Sequence, residues 1–326
     1  MKARFLALAA RLTLSCLLYL NMPTTYIPTV VVDDAHQDDI WDVAWSKNTN
    51  CVVTGASDSS VKCWDGSSGE LKYDLDGHVL SVVSVDTNST GTRAVSASID
   101  STLCIWDLEN DGALLKTINA TPVEAWKAKF SPDGEFIACG SHNGDINLYS
   151  VESGDKVSSF ATKQKFVTTT TYSPDGKYVA GAAEDGSIYV FNIETNQLAH
   201  TLSGHARAVR DLTFAPDNRT LISGSDDKCI HVYDVEHGQL ASVLTGHTSW
   251  VLGVDANPDI SKQQLASSSA DRKVKIWDLG MRSVLETHEV HSEEVWSVAW
   301  NPEGTKLVSV SEDRSIKWFA SSGSSV

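Results

Sequence analysis

The sequence predicts an all-β ring of seven four-stranded blades, a β-propeller, and three observations carry that prediction. An aromatic residue, often followed by Asp, ends the same phrase seven times: Trp64-Asp65, Trp106-Asp107, Tyr149-Ser150, Phe191-Asn192, Tyr233-Asp234, Trp277-Asp278 and Phe319-Ala320. The steps between them are 42, 43, 42, 42, 44 and 42 residues, the length of one four-stranded blade. A His, preceded by Gly at Gly77, Gly204 and Gly246, opens most repeats, and short apolar runs between turn residues fill each one.

The fifth repeat shows how each element is read. After Gly204-His205, the residues Val209, Leu212 and Phe214 mark an inner strand that ends at the Pro216-Asp217-Asn218 turn. Leu221 to Ser223 forms the second strand and Ile230 to Tyr233 the third, after a tight Asp226-Asp227 turn. Gln239 to Leu244 forms the fourth, which runs on into the Gly-His of the next repeat, so the sequence unit and the blade are offset. The offset leaves the seventh blade without an outer strand, since only a Ser/Gly-rich tail, residues 321–326, follows the propeller. Residues 24 to 35, with Ile27 and Val30 to Val32, are placed to supply it and to close the ring across both chain ends. The propeller is thus expected over residues 22–320.

Charge and cysteines narrow the function. With 26 Lys and Arg against 42 Asp and Glu, the net charge of −16 repels phosphate backbones and anionic headgroups. Direct nucleic-acid and membrane binding are therefore not expected. Cys51, Cys63, Cys104, Cys139 and Cys229 form no C-x-x-C pair and read as small reduced packing residues, which favours an intracellular home. Residues 1–21 oppose this, because Lys2 and Arg4 precede an apolar run to Leu20 that resembles a secretory signal or weak anchor. The competing reading begins the protein at Met22-Pro23 and treats the upstream segment as a dispensable extension.

A His, a Ser or Thr, an Asp and a Trp recur at fixed offsets. Complete sets are His36, Thr54, Asp58, Trp64; His78, Ser96, Asp100, Trp106; and His247, Ser267, Asp271, Trp277. Partial sets are His205, Ser223, Asp227 and His291, Ser309, Asp313. A hydrolase needs one activated nucleophile beside an oxyanion hole, whereas five copies around a ring indicate repeated construction. In the structural reading Asp fixes one imidazole nitrogen, the other meets the strand hydroxyl, and that hydroxyl accepts from the indole N–H. No catalytic residue, cofactor site or metal site is expected, since the chain holds no Gly-rich strand-to-helix loop, H-E-x-x-H or zinc-spaced Cys/His cluster. Blades 3 and 4 lack the network and are expected to be the softest.

The inner strands also carry large side chains near one recurring place. Trp41, Trp126, Arg210, Trp250 and Trp296 are expected to ring the channel mouth and to bind protein, since Trp and Arg dominate binding hot spots. The alternative is that these tryptophans pack between blades.

The repeats resemble the WD-repeat family over nearly all of residues 22 to 320, in spacing and residue type. Ala35-His36 with Ile40 to Trp45, Leu75 to His78 with Val82 to Asp86, and Pro122 to Trp126 are similar to the WD-repeat subunits of the superkiller complex. Tyr172 to Tyr178 and Gly246 to Leu252 add to that likeness. The resemblance implies a non-enzymatic scaffold, held by a tetratricopeptide-repeat protein beside an RNA helicase that feeds exosome-mediated mRNA decay. It also implies a place in the Paf transcription-elongation complex, and docking of partner peptides on the face that bears the mouth residues. Another intracellular WD-repeat adaptor, such as a ubiquitin-ligase substrate receptor or signalling scaffold, is the competing function, because the ring frame alone does not choose partners.

Overall fold

In the computed structural model, which describes residues 25–120, 127–163 and 166–322, all regular structure is strand: twenty-eight strands form seven four-stranded antiparallel sheets. Residues 1–21 and Trp126 lie outside the described residues, as do residues 323–326 of the tail. The seven inner strands are Ile40–Trp45, Val82–Thr87, Ala128–Phe130, Val167–Tyr172, Val209–Phe214, Val251–Ala256 and Val295–Trp300, one to each blade in chain order.

Each blade is a meander because its connections are tight turns, and those turns fall where Asp, Asn and Gly cluster. In blade 3, Ser131 Oγ accepts from the Phe136 N–H at 2.9 Å and Asp133 Oδ1 from the Glu135 N–H at 3.0 Å, so the turn's donors are satisfied locally. Blade 7 closes the ring. Tyr26–Val32 pairs antiparallel with Ile316–Ser321, with Tyr26 opposite Ser321 and Val32 opposite Ile316. A slip between Pro28 and Val30 accommodates the proline, which lacks an N–H for the ladder. The Tyr26 ring packs edge-on against Trp300 at 5.0 Å, and its hydroxyl donates to Gln264 Oε1 at 2.9 Å, tying the closing strand to blades 6 and 7.

The core lies between blades. Separate clusters of fully buried residues fill the gaps, for example Ile40, Val52, Trp64, Val308 and Trp318 between blades 7 and 1. Burial of side chains this size contributes about 1.5–3 kcal/mol each. Cys51, Cys63, Cys104 and Cys139 sit inside these gaps as free thiols, while Cys229 is half-buried. Asn88, which opens the Asn88-Ser89-Thr90 sequon, is also buried, and its amide donates to Thr90 Oγ1 at 2.8 Å. Among the described residues no helix is long and apolar enough to cross a membrane.

Candidate protein-docking site

The meander order places the His loops and the Asp-bearing turns on one face, here the histidine face, and the other turns on the opposite face. On the histidine face the networks are built as bonded chains. In blade 6 the His247 Nδ1–H donates to Asp271 Oδ2 at 2.8 Å, and Ser267 Oγ donates to Nε2 at 2.7 Å while accepting from the Trp277 indole at 2.8 Å. Blade 2 repeats the pattern with His78, Asp100, Ser96 and Trp106. In both blades the Asp also accepts the N–H of the residue after the His, Thr248 or Val79, which fixes the loop entry.

Three blades vary the theme. In blade 1, Ser60 stands between ring and carboxylate: His36 Nδ1 is 2.7 Å from Ser60 Oγ, which donates to Asp58 Oδ1 at 2.6 Å. Thr54 still joins His36 Nε2 at 2.7 Å and the Trp64 indole at 2.9 Å. In blade 7, His291 meets Asp313 and Ser309, but Phe319 has no donor to add, and the neighbouring Trp318 indole N–H is buried without a partner. In blade 5, His205 meets Asp227 at 2.8 Å and Ser223 at 2.7 Å, while Tyr233 turns its hydroxyl to His231 Nδ1 at 3.1 Å.

Burial disfavours the charged imidazole and lowers the pKa of His36, His78, His205 and His291. Burial works against the carboxylates as well, yet the hydrogen bonds they accept hold all five below their ordinary range, Asp271 at about 2. In those four networks the result is neutral imidazole beside anionic carboxylate, with the strand hydroxyl already bonded to the ring. His205, Asp227 and His231 lie close enough together to hold a metal ion. Both His205 nitrogens and His231 Nδ1 are already bonded, so a cation there would have to break the network.

The mouth of the channel is built by one backbone device. In six blades the ladder slips at a single inner-strand residue, five after the His position: Trp41, Val83, Thr168, Arg210, Leu252 and Trp296. A bulge re-aims the extra side chain, and all six line one cavity of about 190 Å3 together with Lys127. Trp41 and Trp296 approach to 6.1 Å between ring centroids at 38°, and both indole N–H groups are buried without a partner.

Trp250 departs from the expected ring. It sits three residues after its His, and Leu252 takes the mouth position in blade 6. Trp250 is instead 40% exposed beside the mouth, with the Arg210 guanidinium 5.6 Å from its ring centroid. Arg210 is held in turn by a bidentate pair with Asp226, at 2.7 and 2.6 Å. Val83, Thr168 and Leu252 were missed because a search for large residues skips small ones; counting five from each blade His, or from Lys163 at the same place in blade 4, finds all six.

Below the mouth the channel carries a belt that the sequence reading passed over. Lys127 Nζ lies 3.2 Å from Asp42 and 3.5 Å from Asp211, and Lys129 Nζ 3.1 Å from Asp86. Four inner-strand aspartates also tie each blade to the next by accepting a backbone N–H. Asp42 takes Val85, Asp86 takes Phe130, Asp211 takes Val254 and Asp255 takes Trp300, at 3.0, 2.8, 3.0 and 2.8 Å. Burial opposes the Lys127 ammonium, but Asp211 and Asp42 more than offset it and raise its pKa. Asp255 has weaker compensation, and burial pushes it up to about 7. The four aspartates fall six or eight places after their blade His, so the same counting would have found them.

Comparison with known proteins agrees with this frame. The family described as WD domain, G-beta repeat, matches residues 28–65, 69–107, 196–234, 238–278 and 282–319, more than half of the chain. The anaphase-promoting complex subunit 4 WD40 domain matches residues 101–173. WD repeat-containing protein SL1-17 of Schistosoma mansoni is 39% identical over 153 residues, 45% of this chain and 50% of that protein. WD repeat-containing protein VIP3 of Arabidopsis thaliana is 35% identical over 135 residues, 40% of this chain and 42% of that protein. Eukaryotic translation initiation factor 3 subunit I of Candida glabrata is 31% identical over 122 residues, 36% of this chain and 35% of that protein. The chain thus spans half or less of the length of these curated relatives.

Proposed function

We propose that this chain, which belongs to the WD-repeat family, is a non-enzymatic scaffold whose histidine face grips a segment of a partner protein at the channel mouth. The observation that carries this reading is the shared bulge, which spends a ladder irregularity in each of six blades to point one side chain at a common cavity. The unpaired indole donors of Trp41 and Trp296 offer hydrogen bonds to an incoming carbonyl, beside the clamped Arg210 and the exposed Trp250.

The partners we propose are the tetratricopeptide-repeat scaffold and RNA helicase of the superkiller complex, in support of exosome-mediated mRNA decay, with Paf complex subunits as further partners. Support comes from the stretches around Trp41, His78 and Trp250 that resemble superkiller WD-repeat subunits. Work in both cytoplasm and nucleus follows from that assignment. Affinity purification of tagged chain tests it. Recovery of the tetratricopeptide-repeat protein and helicase is expected, lost on Trp296→Ala or Arg210→Ala with the thermal midpoint held. Binding that survives both substitutions would move the site elsewhere.

A further inference from the structure

A second cavity opens on the opposite face, in the gap between blades 3 and 4, with a volume of about 530 Å3. Its walls are apolar: Phe136, Leu148, Val157, Phe160 and Ile193. Its one unusual polar feature is Tyr172, which ends the inner strand of blade 4, is 9% exposed and has a buried hydroxyl without a hydrogen-bond partner. The same position in blades 1 and 7 holds Trp45 and Trp300, whose indoles donate to Asn50 at 3.4 Å and to the Asp255 carbonyl at 3.0 Å. An orphaned buried donor is costly, so Tyr172 is a group in want of an acceptor.

The corresponding gap between blades 5 and 6 differs in this respect. It is smaller, about 270 Å3, and its amides are engaged, with Asn257 donating to the Gly304 carbonyl at 3.0 Å and Gln264 accepting from Tyr26. The rim of the blade 3–4 cavity is acidic. Asp133 and Asp175 stand in the two turns that flank it, each using Oδ1 to brace its own turn against Ser131 or Ser173.

We propose that this cavity is a second protein-docking site, taking one bulky apolar side chain of a partner segment flanked by lysine or arginine. The apolar side chain fills the space between Phe136, Val157 and Ile193. A backbone carbonyl of the segment accepts from the Tyr172 hydroxyl, and the flanking cations meet Asp133 and Asp175. The size falls within the range of specific pockets, and the acidic rim selects a basic partner. With the histidine face engaged as well, the ring can bridge two polypeptides from opposite sides.

The test is a methyl NMR titration of the full chain with the synthetic peptide acetyl-Lys-Gly-Phe-Gly-Lys-amide. Shifts are expected at the methyls of Leu148, Val157 and Ile193, and not at Val83 or Leu252 of the histidine-face mouth. Replacing the peptide's Phe by Ala, or its lysines by glutamates, should remove the response. Val157 is half-exposed, so Val157→Arg should fold normally and block binding. Tyr172→Phe should weaken binding by about two- to tenfold and leave the thermal midpoint level or higher, since it removes only an unpaired hydroxyl. Trp296→Ala should change nothing here, which separates this site from the mouth. Absence of methyl shifts, equal response to the Ala or Glu peptide, or a Val157→Arg chain that still binds would overturn the proposal.

Discussion

Blades 6 and 4 occupy equivalent places in the ring but fill the same internal space by different means. In blade 6 the space behind the inner strand holds His247, Ser267, Asp271 and Trp277, a chain in which each group has a bonded partner. In blade 4 the matching positions are Lys163, Gly181, Asp185 and Phe191. A Cβ at Gly181 would lie 2.6 Å from Ile146 Cδ1, so blade 3 has pushed an isoleucine into the volume a serine would use. Ile146, Phe160, Val179 and Phe191 then pack as one apolar cluster. The difference lies in how each blade fails. A hydrogen-bonded chain is directional, and losing one member orphans its neighbours; an apolar cluster loses only the contacts of the atoms removed.

The largest effect should therefore come from the histidine position itself. His247→Ala strands both Asp271 and Ser267, at roughly 1–3 kcal/mol for each orphaned group, so a loss of about 2–5 kcal/mol is expected. Lys163→Ala at the same place in blade 4 removes an exposed side chain and should change stability by about 0.5 kcal/mol or less. Denaturant unfolding of the two variants measures both. Comparable losses would mean that the network is not what distinguishes the blades.

Acid should separate the blades next. The folded imidazoles of His36, His78, His205 and His291 have lowered pKa values, so below about 6.5 the unfolded chain takes up protons that the folded chain refuses. Stability from these rings is complete above that pH and is lost as pH falls toward their folded values. The depressed carboxylates act lower: their contribution is complete above about pH 4 and disappears as pH falls through their folded values, about 2 for Asp271. Blade 3 contains neither group at these positions, and blade 4 has Asp185 with Lys163 in place of the His. Amide exchange corrected for intrinsic rate should show blades 1, 2, 5 and 7 losing protection between pH 7 and pH 5, and blades 3 and 4 changing less. The same experiment at pH 7 tests whether blades 3 and 4 are the softest, the outcome expected from their missing networks. Greater acid loss in blades 3 and 4 would contradict the account.

The sequence carried the frame because the frame is periodic. The spacing of Trp64, Trp106 and Trp277, and the fixed offsets of each His, Ser and Asp, report backbone geometry that repeats, so one blade read correctly gives the others. Closure was legible for the complementary reason: Phe319 is followed by no strand-forming residues, and Val30 to Val32 stood unassigned. The mouth was legible only in part. Trp41, Arg210 and Trp296 stand out by size, but membership is set by a bulge, a backbone event with no residue signature of its own, and so Trp250 replaced Leu252 in the reading. The channel belt was hidden because Asp42 and Asp255 look like ordinary strand-flanking acids until ring closure sets the next blade's N–H beside them. The cavity at Tyr172 depends on the fit between two blades and has no motif.

The smallest effect sharpens the comparison inside the channel, where blade 6 carries Asp255 and blade 4 carries the neutral Thr171 two residues beyond Thr169. Burial raises Asp255 to about 7, well above an unfolded aspartate near 3.9. Between those values the folded chain holds a proton that the unfolded chain has released, so stability is full below about pH 4 and declines as pH rises through about 7. Asp255→Asn keeps an oxygen for the Trp300 N–H but cannot ionise, making blade 6 resemble blade 4 at this level. Its thermal midpoint should exceed the parent's by about 1–4 °C at pH 8 and match it at pH 4. A gain that is larger in acid would reverse the sign and show that the carboxylate is better compensated in the ring than its single backbone hydrogen bond implies.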